Sequence, residues 1–353
     1  MRWLSRFSAS VFDRVRNESN ESGAVIVFVA VAMVALLAMT AFVIDFGRIW
    51  QERRELQAGA TAGVLAVAED CARDLLCDLG SARATAEIYA DANAIDGAAS
   101  VFDIDLDLTD QTVRVVTATE NTAGGNTLHM MFAGIVGFGD ITVGADAAAA
   151  WGTPIGTATL PLIISDCEWD SPLPGYPNGS PQGLPYADDP TLSAWPMATI
   201  YWHDPLGVGP DPDMCIIQPG LDLPGGFGWI ETSIGCTADI VHGGTIGVDP
   251  AQNVPCSSAY FASLLDEGAP VKIPYFKEVP ATPNGDYTVS SHGLFVIAGY
   301  DFNQGPAYQR GVVSCGPGTS CMTGWFVRDV TAGGGPGGFG GNDRGDIVIK
   351  LIG

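Results

Sequence analysis

The chain has 353 residues, with 16 Lys and Arg against 40 Asp and Glu and a formal net charge of −24 at pH 7. Residues 1–60 hold seven of the basic and six of the acidic side chains, so residues 61–353 carry nine against 34, a net charge of −25. Such an acidic surface repels nucleic acid and anionic lipid headgroups, which excludes nucleic acid as a partner and favours solubility outside the cell.

The first predicted element is a transmembrane helix at residues 23–46. The segment from Ala24 to Ile44 contains 21 residues and no charge, enough for a helix of about 31 Å, which matches the hydrocarbon core of a bilayer. A cleaved secretory signal usually has an apolar core of ~7–15 residues, and here Met39 stands where a cleavage site has a small residue. A buried core helix rarely needs ~20 apolar residues on all faces. The pattern therefore favours an uncleaved anchor that ends at Asp45.

All eight cysteines follow this anchor. An even number on one side of a membrane helix favours disulfides formed in an oxidising compartment, and the spacing lacks the C-x2-C and H-x3-H pairs of metal sites. Cys71 with Cys77 and Cys315 with Cys321 are the predicted pairs, because each closes a short loop. The other pairings stay open among the remaining candidates, which are Cys167, Cys215, Cys236 and Cys256.

The cysteines also set the predicted orientation. Basic residues hardly prefer either side, because four arginines precede the anchor and three follow it, namely Arg2, Arg6, Arg14 and Arg16 before it and Arg48, Arg53 and Arg54 after it. Disulfides require the C-terminal part to be extracytoplasmic. Residues 1–22 are then a cytoplasmic tail of a single-pass protein of the cell membrane.

Helical character continues beyond the anchor. Many alanines and the absence of proline predict a stalk that extends the membrane helix to Arg73. If Cys71 and Cys77 are bonded, the helix must break between them, because six residues apart they lie about 9 Å along the axis on different faces. Ser81 is the predicted N-cap of a second helix that ends near Gly97.

From Ala99 the periodicity changes to that of a strand. Four apolar residues, Phe102, Ile104, Leu106 and Leu108, alternate with aspartates, and the segment Thr112 to Glu120 is the predicted hairpin partner. The aspartates resemble the start of a calcium loop, but Leu108 and Arg114 stand where an EF-hand needs glycine and glutamate. A solvated strand face is favoured.

The remaining pattern predicts an α+β fold in two parts. Residues 127–136 are a predicted short helix and residues 140–151 a strand, so residues 47–152 form a helical stalk with a small α+β unit. Proline, glycine and aromatic residues dominate residues 153–353, which predicts a β-rich, loop-heavy, disulfide-stapled extracytoplasmic domain. Its predicted strands lie at residues 159–165, 198–202, 287–299 and 347–351.

An ordered set of short motifs carries a resemblance that covers about 50 residues. The set is Glu21-Ser22-Gly23-Ala24, then Val43-Ile44-Asp45-Phe46-Gly47-Arg48, then Arg53-Arg54-Glu55-Leu56-Gln57 and an alanine-rich continuation. With these motifs the sequence resembles the TadE/TadG-like family of Flp (tight-adherence) pilus assembly. Looser similarity to longer members of the family lies at Ala150-Trp151-Gly152-Thr153-Pro154, Pro224-Gly225-Gly226-Phe227-Gly228-Trp229 and Gly324-Trp325-Phe326.

The resemblance implies a single-pass, pilin-like component of a pilus or secretion system, with other pilin-like or pilus-assembly proteins as partners. Three departures limit it. Gly59-Ala60-Thr61-Ala62 replaces the family's Ala-Asp-Ala-Ala segment, Phe28 replaces the glutamate of processed pilins, and the D-x-S-x-S motif of a von Willebrand A domain is absent. The expected anchor and assembly residues are Gly23, Asp45, Gly47 and Arg48, with Asp45 either pairing with a basic group or marking the membrane boundary.

Catalytic chemistry finds little support. The chain has four histidines, no G-x-S-x-G and no H-E-x-x-H motif, so no cofactor and no enzymatic activity are expected. His203-Asp204 and Ser291-His292 could form a hydrolase triad, which makes a membrane-tethered hydrolase one alternative. A surface adhesin or glycan-binding module is the other, since aromatic residues could line a groove, although a core role is favoured for them. The glycine-rich segment before Asp346 is a predicted flexible loop, and Arg344-Gly345-Asp346 is treated as a chance tripeptide.

Overall fold

The computed structural model describes most of the chain, in segments separated by gaps. The described segments are residues 5–73, 77–95, 97, 99–120, 125–137, 139–170, 183–202, 215–218, 221–223, 226–249, 254–278, 285–313, 315, 319–331 and 338–352, without the side chains of 5–22, 24, 135, 136, 170, 215–218 and 221–223. Several predictions lie outside them. These concern His203 and Asp204, Pro224 and Gly225, and the first five residues of the glycine-rich segment, at 333–337.

The predicted mixture of helix and strand is confirmed. Helix α1 runs from Ser5 to Arg73 over 69 residues, so the predicted helical continuation ends where expected. Helix α2 spans Leu79–Asn93. Its N-cap is Asp78 rather than the predicted Ser81, because Asp78 Oδ1 accepts the backbone N–H groups of Gly80 at 2.7 Å and Ser81 at 2.9 Å.

The chain divides into two compact units that share α1, α2 and three strands. The first comprises Met1–Gly63, Ala86–Ile104 and Val115–Asp146. Its strands belong to β1 (Ala99–Asp107), β2 (Thr112–Thr119) and β3 (Gly144–Gly152), hydrogen-bonded in the order β1-β2-β3. The predicted hairpin is therefore present. The second unit comprises Val64–Thr85, Asp105–Arg114 and Ala147–Gly353.

The burial of β1 differs from the prediction. Val101 and Ile104 are buried, whereas Phe102 and Leu108 of the predicted apolar face are exposed. The buried side of the strand changes between Val101 and Ile104, so a strict period of two assigns the residues before and after this point to opposite faces.

The helices of the first unit approach each other at small residues. A Cβ added to Gly59 would lie 3.1 Å from Ala90 Cα, and one added to Gly63 would lie 3.3 Å from Ala86 O. These glycines stand in and beside the segment that departs from the family pattern. Close antiparallel packing of α1 and α2 explains why the chain has Gly59 and Gly63 there.

Residues 127–136 do not form the predicted helix. Leu128 makes an isolated antiparallel bridge with Ile141, and only Ala133–Val136 forms a turn of 3₁₀-helix, which Gly137 terminates in a left-handed conformation with φ of 89°. The apolar composition of this segment indicated burial within a helix. The backbone instead satisfies its N–H groups through contacts described below.

Among the described residues, the second unit contains one large sheet and three smaller groups of paired strands. Its strands are β4 (Gly156–Thr159), β5 (Leu162–Ser165), β6 (Ala198–Tyr201), β7 (Cys215–Gln218), β8 (Leu221–Leu223), β9 (Phe227–Trp229), β10 (Ala238–Val241), β11 (Thr245–Gly247), β12 (Val271–Glu278), β13 (Asp286–Asp301), β14 (Gln309–Gly311), β15 (Cys321–Val327), β16 (Asp329–Thr331) and β17 (Asp346–Ile352). The main path of the large sheet is β6-β15-β13-β12-β5-β9, with β11 and β14 pairing to β13. β17 pairs with the end of β3 and with β16, β10 with β4, and β7 with β8.

The predicted strands of the second unit are found, although residues 159–165 are divided between β4 and β5 by the segment at Pro161. Two further helices, α3 (Asp166–Asp170) and α4 (Ser258–Glu267), accompany the sheet. Trp229, Phe261 and Phe302 pack edge to face in its core, with ring centroids 4.8–6.2 Å apart. Trp169 and Trp229 are buried, as the favoured core role predicts.

Three disulfides lie among the described residues. Cys71–Cys77 and Cys315–Cys321 confirm the two predicted pairs, and the first joins the last turn of α1 to the start of α2. Cys236–Cys256, which the sequence left open, connects the loop before β10 to the residues that precede α4. Cys167 is also disulfide-bonded, and the side chain of Cys215 lies outside the described residues.

Candidate functional site at the end of the apolar helix

The apolar part of α1 has no protein covering it. The large apolar side chains from Val25 to Ile44 are 41–80% exposed. The hydroxyl of Thr40 donates to the carbonyl of Leu36 at 2.9 Å, so this polar side chain is satisfied inside the helix. Among the described residues, α1 is one helix that is long and apolar enough to cross a membrane.

Asp45, which ends this apolar segment, is buried with 4% of its surface exposed. Its carboxylate accepts backbone N–H groups from three consecutive residues. Oδ1 lies 3.1 Å from Met131 N and 3.3 Å from Phe132 N, while Oδ2 lies 3.1 Å from Phe132 N and 2.6 Å from Ala133 N. Charge-assisted hydrogen bonds of this kind are roughly twice as strong as neutral ones. Asp45 therefore holds the start of the 3₁₀ turn against α1, and its partners are backbone groups rather than a basic side chain.

Arg48 strengthens the same attachment one turn later. Its Nη1 donates to the carbonyl oxygen of His129 at 3.3 Å, and His129 Nδ1 lies 3.0 Å from Asp140 Oδ1. Two of the four sequence-predicted site residues, Asp45 and Arg48, thus lie on α1 and bind the backbone of one loop. A sequence signal for this loop exists in the uncharged run at residues 130–139, which overlaps the residues 127–136 that the prediction assigned to a helix.

The two glycines of the predicted set, Gly23 and Gly47, have free space beside them. A Cβ added to Gly23 or Gly47 would meet nothing within 4 Å. Gly23 precedes Asp45 by 22 residues, which corresponds to about 33 Å along α1. These positions therefore do not join the Asp45 loop, and any role in helix association would need a partner from another chain.

A second polar cluster lies inside the second unit, around Asp346 on β17. Asp346 Oδ2 is 2.7 Å from His292 Nε2 and 2.8 Å from Lys272 Nζ, and Oδ1 accepts the hydroxyl of Thr331 at 2.6 Å. Although burial opposes ionisation, the hydrogen bond and charge of His292 and the ammonium of Lys272 lower the pKa of Asp346. The carboxylate stays ionised, and its contact with Nε2 orients the imidazole ring of His292.

His242 extends this chain. Its Nε2 lies 2.6 Å from His292 Nδ1, which leaves His242 Nδ1 buried without a hydrogen-bond partner among the described residues. Burial, reinforced by the charges of His292 and Arg344, lowers the pKa of His242 to about 4 despite the opposing charge of Asp346. His242 is therefore neutral at pH 7.

The tripeptide Arg344-Gly345-Asp346 is part of this buried region, which agrees with its interpretation as a chance match. Arg344 Nη2 lies 2.9 Å from Asp166 Oδ1, and its guanidinium carbon lies 4.6 Å from the ring centroid of Tyr275. Both members of the ion pair are buried. The described end of the glycine-rich segment is thus fixed by charge pairs, whereas a flexible loop was predicted.

The second cluster stabilises the fold, and its geometry does not allow His292 to act as a general base. Both ring nitrogens of His292 are engaged, by Asp346 and His242, and the side chain is fully buried. A general base must reach its substrate directly or through one water, which this imidazole cannot do. Among the described residues no group of three or more His, Cys, Asp or Glu side chains could hold a metal ion.

Comparison with known proteins finds one family model that matches the segment around the apolar helix. Residues 23–70 match the family model Tad, described as Flp pilus-assembly TadE/G-like. The matched segment contains the apolar helix, Asp45, Arg48 and Gly59, and it indicates involvement in Flp pilus assembly. No curated protein matches the chain. No solved structure matches it either.

Proposed function

We propose that this protein is a non-enzymatic, membrane-anchored, pilin-like component of Flp pilus assembly or of a related secretion apparatus. The observation that carries the proposal is the family match over residues 23–70, which coincides with an apolar helix whose large side chains are 41–80% exposed among the described residues. Exposed apolar surface of this length needs lipid or other apolar helices around it. The membrane and other pilin-like or pilus-assembly proteins are the proposed partners.

The proposed orientation puts residues 1–22 in the cytoplasm and the part after residue 46 outside. Its support is the set of disulfides, because such bonds persist in oxidising compartments and are rare in the cytosol. In this arrangement residues 47–152 form the pilin-like stalk and small α+β unit, and residues 153–353 form the β-rich extracytoplasmic domain. A surface ligand of that domain is a further proposed partner.

Asp45 is the proposed assembly residue with the clearest geometry. In neighbouring pilin-like helices, small residues at Gly23 and along the apolar segment would permit close packing, while Asp45 and Arg48 hold the loop at residues 129–133. Gly47, on the same helix as Asp45, has room for a helix of another chain. The loop at residues 129–133 then forms a fixed surface near the membrane boundary, against which neighbouring parallel helices can assemble.

Deletion of the gene tests the proposal directly. Pili are imaged in the deletion strain and in strains complemented with the wild-type chain or with Asp45→Leu. We expect loss of pili in the deletion strain, restoration by the wild-type chain, and impaired piliation by the membrane-inserted Asp45→Leu protein. Unchanged piliation in the deletion strain together with lost surface attachment would contradict the assembly role and favour the adhesin alternative.

A further inference from the structure

Residues 130–134, named here the boundary loop, form an uncharged segment with the sequence MMFAG. Within this loop Met131 is 56% exposed, although its neighbour Met130 is buried. The two hydrogen-bonded carboxylate oxygens of Asp45 fix the loop backbone beside α1. A buried carboxylate therefore holds this apolar loop in a position where the side chain of Met131 remains exposed.

The depth of the boundary loop follows from the position of Asp45. Asp45 comes directly after Ile44, the last residue of the uncharged run, so its carboxylate lies where the hydrocarbon core of a bilayer would end. Because the N–H groups of residues 131–133 lie within 2.6–3.3 Å of that carboxylate, the loop backbone lies at the same depth.

Exposed aromatic side chains of α1 lie close to Asp45 along the helix, near the predicted end of the hydrocarbon core. Phe46 and Trp50 are 60% and 58% exposed, and the Phe42 and Phe46 rings stack with centroids 6.2 Å apart. The guanidinium carbon of Arg54 lies 4.6 Å from the Trp50 ring centroid, on the side away from the apolar run. Aromatic residues followed by arginine are typical of the interface between acyl chains and headgroups.

We infer that the boundary loop is a second membrane contact, which enters the headgroup and acyl boundary of the leaflet around the C-terminal end of the apolar helix. Lipid is the occupant because the loop is continuous, through Asp45, with a helix whose exposed surface already requires lipid. Zwitterionic lipid is the expected class, since the acidic remainder of the chain repels anionic headgroups. The contact fixes the rotation of α1 about its axis, because lipid then covers one particular side of the helix end.

The inference rests on the proposed membrane anchoring, and fluorescence of the full chain can test it. The described cysteines include no free thiol, so a cysteine added by Met131→Cys can be labelled alone with an environment-sensitive fluorophore under non-reducing conditions. The labelled protein is placed in phosphatidylcholine vesicles that contain lipids with a nitroxide at a shallow acyl position. Ile88→Cys is the control, because Ile88 is exposed on α2 beside Gly59 and Gly63, about 24 Å along α1 beyond Asp45.

We expect the Met131 label to be blue-shifted and quenched about twofold more than the Ile88 label, because interfacial apolar residues lie roughly 5–10 Å inside the headgroup boundary. Adding Asp45→Asn should reduce that quenching. Equal quenching of both labels in protein that resists alkaline extraction would overturn the inference while the anchor stands. A blue shift without quenching would also overturn it, since a protein surface would then cover the loop. Release of the whole chain at alkaline pH would overturn the anchor as well.

Discussion

His292 Nε2 lies 2.7 Å from Asp346 Oδ2, and both side chains are fully buried in the second unit. The pair connects β13 to β17, while Lys272 brings β12 to the same carboxylate at 2.8 Å. A carboxylate without water must be compensated by such partners, because the desolvation of an ion costs several kcal/mol. The charge of Asp346 therefore connects three strands, β12, β13 and β17.

Replacing Asp346 with asparagine should destabilise the protein strongly. The amide keeps the shape but leaves Lys272 without its charge partner, and breaking one side of a buried pair typically costs about 3–5 kcal/mol. The measurement is thermal and urea unfolding of the detergent-solubilised full chain, followed by tryptophan fluorescence.

Asp266→Asn is the matched control for this substitution. Asp266 pairs with Arg310 at 3.5 Å, and its side chain is 65% exposed. Exposed pairs contribute about 0–1 kcal/mol, so the midpoint of unfolding should hardly move. Equal effects of the two substitutions would contradict the role assigned to the buried cluster.

Acid should destabilise the second unit in the range where His242 titrates. The pKa of His242 is lowered to about 4 in the folded state by burial and by neighbouring positive charge, whereas an unfolded histidine titrates near 6.5. The unfolded chain therefore binds a proton first as pH falls. The stabilising contribution is fully present above pH ~6.5 and declines toward pH ~4, by at most about 2 kcal/mol for a partly solvated ring.

Other carboxyl groups bear on the acid side of this profile. The lowered pKa of Asp346 adds a loss of stability only below its unfolded pKa near 3.8. Burial raises the pKa of Asp343 and of Asp329, and each of them adds stability as pH falls through its folded pKa. Comparison with a variant that lacks the imidazole therefore isolates the contribution of His242 between pH 7 and 5. Unfolding midpoints of the wild-type chain and of His242→Gln are compared there, and an unchanged slope in the variant would show that another group titrates.

Features that depend on residues close together in the sequence could be predicted. The apolar run predicted α1, and the six-residue spacing predicted both Cys71–Cys77 and Cys315–Cys321. Side-chain partners distant in sequence were not predictable in this way. Asp346 pairs with His292 and Lys272 across 54 and 74 positions, and nothing local to the tripeptide at 344–346 indicates burial. The same holds for Asp45, whose backbone partners are 86–88 residues away.

The close pairing of α1 and α2 predicts a position-dependent response to leucine. Gly59→Leu should disrupt the helix pair, because a Cβ at this position already lies 3.1 Å from Ala90 Cα and backbone must move. Overpacking typically costs about 1–3 kcal/mol. Hydrogen exchange of peptides that cover residues 86–93 measures the loss, and faster exchange is expected there.

Gly47→Leu serves as the control on the same helix. A Cβ at Gly47 meets nothing within 4 Å, and leucine has a higher helix propensity than glycine by up to about 1 kcal/mol. Exchange at residues 86–93 should remain as in the wild-type chain. If both leucines accelerate exchange equally, the small-residue contact does not hold α2 in place.

The final prediction concerns the attachment of the boundary loop to Asp45. Asp45→Asn removes the negative charge and one acceptor oxygen, so the N–H groups of Met131, Phe132 and Ala133 lose charge-assisted bonds. Hydrogen bonds to charged groups contribute about 1.5–3 kcal/mol, which corresponds to roughly 10- to 100-fold faster amide exchange at these residues. Glu55→Gln makes the same chemical change elsewhere on α1, where Glu55 accepts the N–H of Ile95 at 3.0 Å. It should accelerate exchange at Ile95 and leave residues 131–133 protected. Protection of residues 131–133 in both variants would show that the loop holds its position without the carboxylate of Asp45.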